Sequence, residues 1–118
     1  MASWSNAMRL KEVPFFQGFL STPGVYELGY DDVQGFDGVY IGLAGHSLYA
    51  QLYGFVTLRG PNKLINDAIK KDDGQIYCRV IRSGDPGYGE AKLIYQQELG
   101  GAGLYPWNRL YGRRSPRG

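Results

Sequence analysis

The chain has 118 residues, enough for one domain with a single core, and carries a net charge of only +2 with an apolar content ordinary for a globular protein. No stretch approaches the roughly 18 consecutive apolar residues of a membrane helix, and Cys78 as the lone cysteine excludes an internal disulfide and a cysteine-built zinc cluster. A reducing, cytoplasmic setting is the default that follows, and the charge is uneven, with Arg109, Arg113, Arg114 and Arg117 near the end of the chain and no acid among them.

Residues 1–7 read as a vector-derived leader ahead of Met8, which leaves 8–118 as one domain with a basic C-terminal tail. Pro14 to Leu20 is an aromatic-rich lead-in with room for a short helix, broken by Thr22-Pro23-Gly24 before a strand from Val25 to Leu28. Asp31-Asp32 and Gly35 to Gly38 read as a polar, turn-rich connection, so Val39 to Gly42 is the antiparallel return of a long hairpin. Val25, Val39 and Ile41 are expected to face the core. Alternation along each strand then puts Tyr26 and Tyr40 together on the other side, at one surface.

Ser47 caps a helix expected to run to about Tyr53, with Leu48 and Leu52 one turn apart and Gly54 ending it. Pro61 suits the first turn of a second helix, with a packing stripe of Leu64, Ile65, Ala68 and Ile69 and with Lys70 and Lys71 near its C-terminal end. Ile76 to Ile81 alternates as a third strand, in which Cys78 is a core filler rather than a nucleophile. After a loop over 83–89, Glu90 to Leu99 reads as a helix stopped by Gly100-Gly101.

Gly24-Val25-Tyr26 and Tyr40-Ile41-Gly42, with 13 residues between the two tyrosines, place a tyrosine near a glycine in each of two hairpin-spaced strands. With Glu90 and Pro106-Trp107-Asn108 downstream, this order resembles the GIY-YIG nuclease family, and the resemblance runs from about Pro23 to Arg109. It implies an α+β domain built on a small three-stranded antiparallel sheet flanked by helices. It also implies an endonuclease that hydrolyses DNA phosphodiesters with Mg2+ or Mn2+, with RNA open as a substrate. One such site cuts one strand, so a double-strand cut would need a homodimer or two sequential nicks.

Residue by residue, the resemblance makes Tyr26 the tyrosine that orients or deprotonates the attacking water and Tyr40 the one that supports it. An unperturbed tyrosine pKa of about 10 favours the orienting role. Glu90 would hold the metal, with Leu93-Ile94 three and four residues on as in the family; the same glutamate also suits the first turn of a helix on electrostatic grounds alone. Gly42 would let backbone approach closely, and Asn108 either braces the site from the C-terminal segment or serves as a turn residue.

The chain departs from the family at the first helix, where an arginine normally binds the scissile phosphate and Gln51 stands instead. Losing that charge-assisted contact costs on the order of 2–4 kcal/mol of transition-state stabilisation. His46 near the helix start and Arg59 in the following loop are the substitutes, although neither is a family position, and Arg79 is a third cation of unknown face. Arg109 and Arg113 would hold flanking phosphates. Two alternatives stand beside the endonuclease: a nucleic-acid-binding module of the same fold with lapsed catalysis, and a protein-interaction domain using a tyrosine-rich surface.

Overall fold

The computed structural model describes residues 4–59, 63–72, 74–83, 88–100 and 105–110, the side chains of 88–91, 99, 100, 109 and 110 excepted. Strand β1 (Met8–Arg9) leads into a 3-10 segment (Leu10–Phe16) and a short helix α1 (Gln17–Leu20). Strands β2 (Gly24–Asp32) and β3 (Gly35–Ala44) follow, then α2 (Leu48–Val56), α3 (Lys63–Lys71), β4 (Tyr77–Arg82), α4 (Tyr88–Gly100) and α5 (Pro106–Leu110). The expected α+β class holds, but the sheet has four antiparallel strands in the order β1-β4-β2-β3 rather than three. The added strand is a two-residue piece, Met8 and Arg9, paired with Cys78 and Tyr77.

Residues ahead of Met8 also join the fold. The Ser5 amide donates to the Val80 carbonyl at 2.8 Å, the Val80 amide donates to Ser5 Oγ at 3.0 Å, and Trp4 packs against a core cluster. These contacts extend the line of β1 along β4 and cover part of what would otherwise be a bare sheet edge.

The hairpin is longer and tighter than its polar composition suggests. Asp31, Asp32 and Gly35 to Gly38 belong to the strands themselves, Asp32 pairs with Gly35, and only Val33 and Gln34 turn the chain. Gly35 takes φ +122°, a conformation open to glycine and costly for other residues. Pairing shifts register between Leu28 and Gly29, where Val39 is the extra residue of a β-bulge. Val25, Val39 and Ile41 are all buried as expected, but the bulge puts them on different faces: Val39 joins the core cluster of Tyr26 and Leu28, whereas Val25 and Ile41 lie in a second cluster with Tyr105.

Both faces of the sheet are therefore buried. Leu10 and Val13 of the 3-10 segment, Leu48, Leu52 and Phe55 of α2, and Ile65 and Ile69 of α3 cover the tyrosine face. Helix α4 packs over β2 and β3, with Tyr95 set against the Val25 and Ile41 cluster, and α5 packs on β3. Each fully buried leucine or phenylalanine contributes about 1.5–3 kcal/mol relative to exposure.

Ser47 caps α2 as expected, its hydroxyl accepting from the Ala50 amide at 3.2 Å. Gly54 does not end the helix. The terminus comes at Leu58, with φ +59°, where the Leu58 amide bonds the Phe55 carbonyl at 3.1 Å and the Arg59 amide bonds the Gly54 carbonyl at 2.7 Å. That is a Schellman closure with leucine at the position glycine usually fills. In α3, Ile65 and Ile69 are buried as expected while Leu64 is 40% exposed; Pro61 lies outside the described residues. No helix among the described residues is long and apolar enough to cross a membrane.

Candidate active site

Tyr26 and Tyr40 come from neighbouring antiparallel strands. Tyr26 pairs with Gly42 and Leu28 with Tyr40, so the two tyrosines lie on one face with ring centroids 6.3 Å apart. Phe55 of α2 completes the cluster, 6.0 Å from each ring. The shared face is as expected; its exposure is not. Tyr26 is only 3% exposed and Tyr40 half-buried, because α2 closes over the face that alternation alone leaves open.

The Tyr26 ring lies across the neighbouring strand on Gly42. A Cβ there would stand 2.6 Å from Tyr26 Cε1 and closer still to Cζ and the hydroxyl. Glycine at this position is a steric requirement of the tyrosine beside it.

Burial pushes the Tyr26 pKa well above the usual value, and the neighbouring Tyr40 and Tyr95 hydroxyls disfavour its phenolate further. Tyr40 is raised by burial and then by Tyr95. Both are neutral phenols at physiological pH, suited to orient a water or donate a hydrogen bond and unsuited to remove a proton. Tyr95, a residue of α4 that the sequence did not single out, thus acts on both motif hydroxyls.

Asn108 braces the strand that carries Tyr40. Its Oδ1 accepts from the Ile41 amide at 2.8 Å and its Nδ2 donates to the Ile41 carbonyl at 3.0 Å, so one side chain pairs with the outer edge of β3 as another strand would. Both amide groups are committed to Ile41, so Asn108 acts as a brace from the C-terminal segment, a positioning residue for β3. Tyr105 and Trp107 straddle the same edge, Tyr105 in one core cluster and Trp107 in the other.

Comparison with protein-family models, curated proteins and solved structures finds no match to this chain.

The remaining sequence candidates divide by position. Gln51 is exposed on α2, one turn before Phe55. His46 is exposed in the β3–α2 connection, and Arg59 is exposed just past α2, its backbone closing that helix. Glu90 is in the first turn of α4, but its side chain lies outside the described residues, as do the Arg109 side chain and Arg113. Cys78 is a core residue, its thiol pushed up by burial to about 12, and is no nucleophile. Among the described residues no group of three or more histidine, cysteine, aspartate or glutamate side chains is placed to hold a metal ion.

The sequence reading missed Glu27. It is 2% exposed on the face opposite the tyrosines and receives Arg79 Nε on Oε1 at 2.5 Å and the Tyr105 hydroxyl on Oε2. The Arg79 guanidinium also lies 4.7 Å from the ring centroids of both Trp4 and Phe36. Arg79, itself half-buried, is thus committed to an ion pair with a buried carboxylate, and the Tyr105 bond ties the C-terminal segment to the centre of β2. The available signal was an acid inside the apolar run Val25-Tyr26-Glu27-Leu28, since a buried carboxylate needs a partner.

Proposed function

We propose that this chain is a GIY-YIG-type endonuclease that hydrolyses DNA phosphodiesters with the help of Mg2+ or Mn2+. The observation that carries the reading is the Tyr26 and Tyr40 pair on adjacent strands at 6.3 Å, with Gly42 in register under the Tyr26 ring. Three residues that could each occur by chance in a β-rich chain are mutually dependent in space.

In this reading water attacks phosphorus, the bond to the leaving alkoxide breaks, and the site must orient the water while relieving charge on the phosphate. The neutral Tyr26 hydroxyl orients the water and Tyr40 supports it. Asn108, through Ile41, fixes the strand from which Tyr40 projects. A magnesium ion asks for few protein carboxylates, because water and phosphate complete its octahedron. Glu90, in the first turn of α4, is the carboxylate the motif offers for it, and α4 packs on β2 and β3 from the face opposite the tyrosine rings. The ion would supply charge neutralisation at the phosphate.

A second reading, a nucleic-acid-binding module whose catalysis has lapsed, draws on Gln51. Its exposed position one turn from Phe55 is where a cation would be useful, and glutamine brings none. Nicking of supercoiled plasmid separates the two. The endonuclease predicts metal-dependent open circles that disappear in Glu90→Ala. A parent that is silent while Gln51→Arg nicks would instead establish the lapsed module.

A further inference from the structure

Three phenylalanines of the N-terminal segment stay in water: Phe15 is 85% exposed, and Phe16 and Phe19 are 40% each. A soluble fold that buries both faces of its sheet has no structural need to leave them there, and clustered exposed aromatics mark interaction surfaces. Phe16 and Phe19 form one wall of a groove of about 340 Å3, with Ser5 to Met8 as the other wall. The exposed Arg82 lies with its guanidinium 4.6 Å from the Phe19 ring centroid. Arg82 therefore lies over one face of Phe19, and the stacked pair with Phe16 makes a flat, positively charged surface of the kind that stacks nucleobases and meets phosphate together.

The placement ties this surface to the tyrosine pair. Arg82 ends β4 and pairs with Gly24 at the start of β2, and Tyr26 is two residues further along β2 on the same face. β3 ends at Ala44, also paired with Gly24, so the three strands finish together. The β3–α2 connection with exposed His46 therefore stands at the same end of the sheet as Arg82. Two strand spacings, about 10 Å, separate the ends of β4 and β3. The turn between α1 and β2 is fixed there as well, with Thr22 Oγ1 donating to the Ser83 carbonyl at 2.6 Å and the Leu48 amide donating to the Thr22 carbonyl at 2.8 Å.

We propose that Phe16, Phe19 and Arg82 form a stacking platform for unpaired bases, so that the preferred substrate is nucleic acid with a single-stranded segment, such as a flap or branch, rather than continuous duplex. This rests on the nuclease reading for its substrate class. Bases stack on the phenylalanines, Arg82 meets the adjoining phosphate, and the strand continues past His46 toward the tyrosine pair.

Binding is measured in EDTA, which separates it from cleavage, by fluorescence anisotropy of a labelled single-stranded oligonucleotide and of the same sequence as a duplex. The parent is expected to prefer the single strand. Phe19→Ala is expected to weaken single-strand binding about 5- to 150-fold with little change for the duplex, and Phe19→Trp, which keeps a stacking face, is expected to restore it; a thermal melt checks that each variant is folded. Equal affinity of folded Phe19→Ala and parent for the single strand, or binding of neither oligonucleotide, overturns the platform. A parent that nicks plasmid yet gives either of those results keeps the nuclease and loses the platform. One that binds single strands through Phe19 without nicking in Mg2+ or Mn2+ keeps the platform and loses the nuclease.

Discussion

Gly42→Ala adds one carbon at the most crowded point of the proposed site. The new Cβ would stand 2.6 Å from Tyr26 Cε1 and nearer to Cζ, against the roughly 3.5–4.0 Å of comfortable carbon contact, so the ring must retreat by about 1 Å or more. It has little room to do so, being 3% exposed and held between Tyr40 and Phe55 with ring centroids 6.3 and 6.0 Å away. Gly42 is not at positive φ, so the penalty comes from the ring and not from the backbone. Overpacking of this kind costs about 1–3 kcal/mol, which for a domain of this size lowers Tm by about 4–12 °C. A double-mutant cycle isolates the cause, because Tyr26→Leu removes the atoms that clash. Thermal or urea melts of the four proteins should show the alanine costing about 1–3 kcal/mol beside Tyr26 and under about 0.5 kcal/mol beside leucine. An equal cost in both backgrounds, or no cost in the parent, would refute the contact. Nicking by Gly42→Ala should fall even below its own melting temperature, since the displaced hydroxyl no longer meets the water.

Asn108→Ala leaves the Ile41 amide and carbonyl without their partners; it should cost about 1–3 kcal/mol and speed hydrogen exchange at the Ile41 amide, and unchanged exchange there would contradict the clasp. Glu27→Ala strands Arg79 and the Tyr105 hydroxyl, and should destabilise by about 3–5 kcal/mol in a urea melt; a loss under about 1 kcal/mol would show that the pair carries no net weight. The Cys78 thiol stays protonated in the folded state up to about pH 12, whereas the unfolded chain releases that proton from pH about 8.5–9. The unfolded state then binds fewer protons, so stability should fall with rising pH across that window by up to about 1.4 kcal/mol per unit. Cys78→Ala should make the fall between pH 9 and 10 shallower, the tyrosines with raised pKa contributing alike in both proteins, and an identical slope in that variant would refute the assignment.

What the sequence made legible was local. The Ser47 cap, the alternation of Ile76, Cys78 and Val80, and the shared face of Tyr26 and Tyr40 follow from periods of two and 3.6 residues and from one side chain's reach. The end of α2 was misread because Gly54 looked like a stop, whereas the left-handed residue is Leu58, tolerated through two backbone hydrogen bonds. Inverting Val39 takes a bulge, and nothing in Gly38-Val39-Tyr40 announces one. The brace of Asn108 on Ile41 spans 67 residues and the Arg79 to Glu27 bond spans 52, so each requires knowing which strands are neighbours. The burial of Tyr26 likewise depends on where α2 docks. The motif thus located the tyrosine pair while leaving its environment, and hence its neutral charge state, to the fold.

The central claim is that the Tyr26 hydroxyl works on a phosphodiester. Tyr26→Phe removes that one oxygen and leaves the ring on Gly42 between Tyr40 and Phe55. The rate of supercoiled-plasmid nicking in Mg2+ or Mn2+, parent against Tyr26→Phe at matched purity, should fall by a factor on the order of 10² or more with Tm essentially unchanged. Equal nicking by the two proteins, or none by the parent under either metal, would contradict the account.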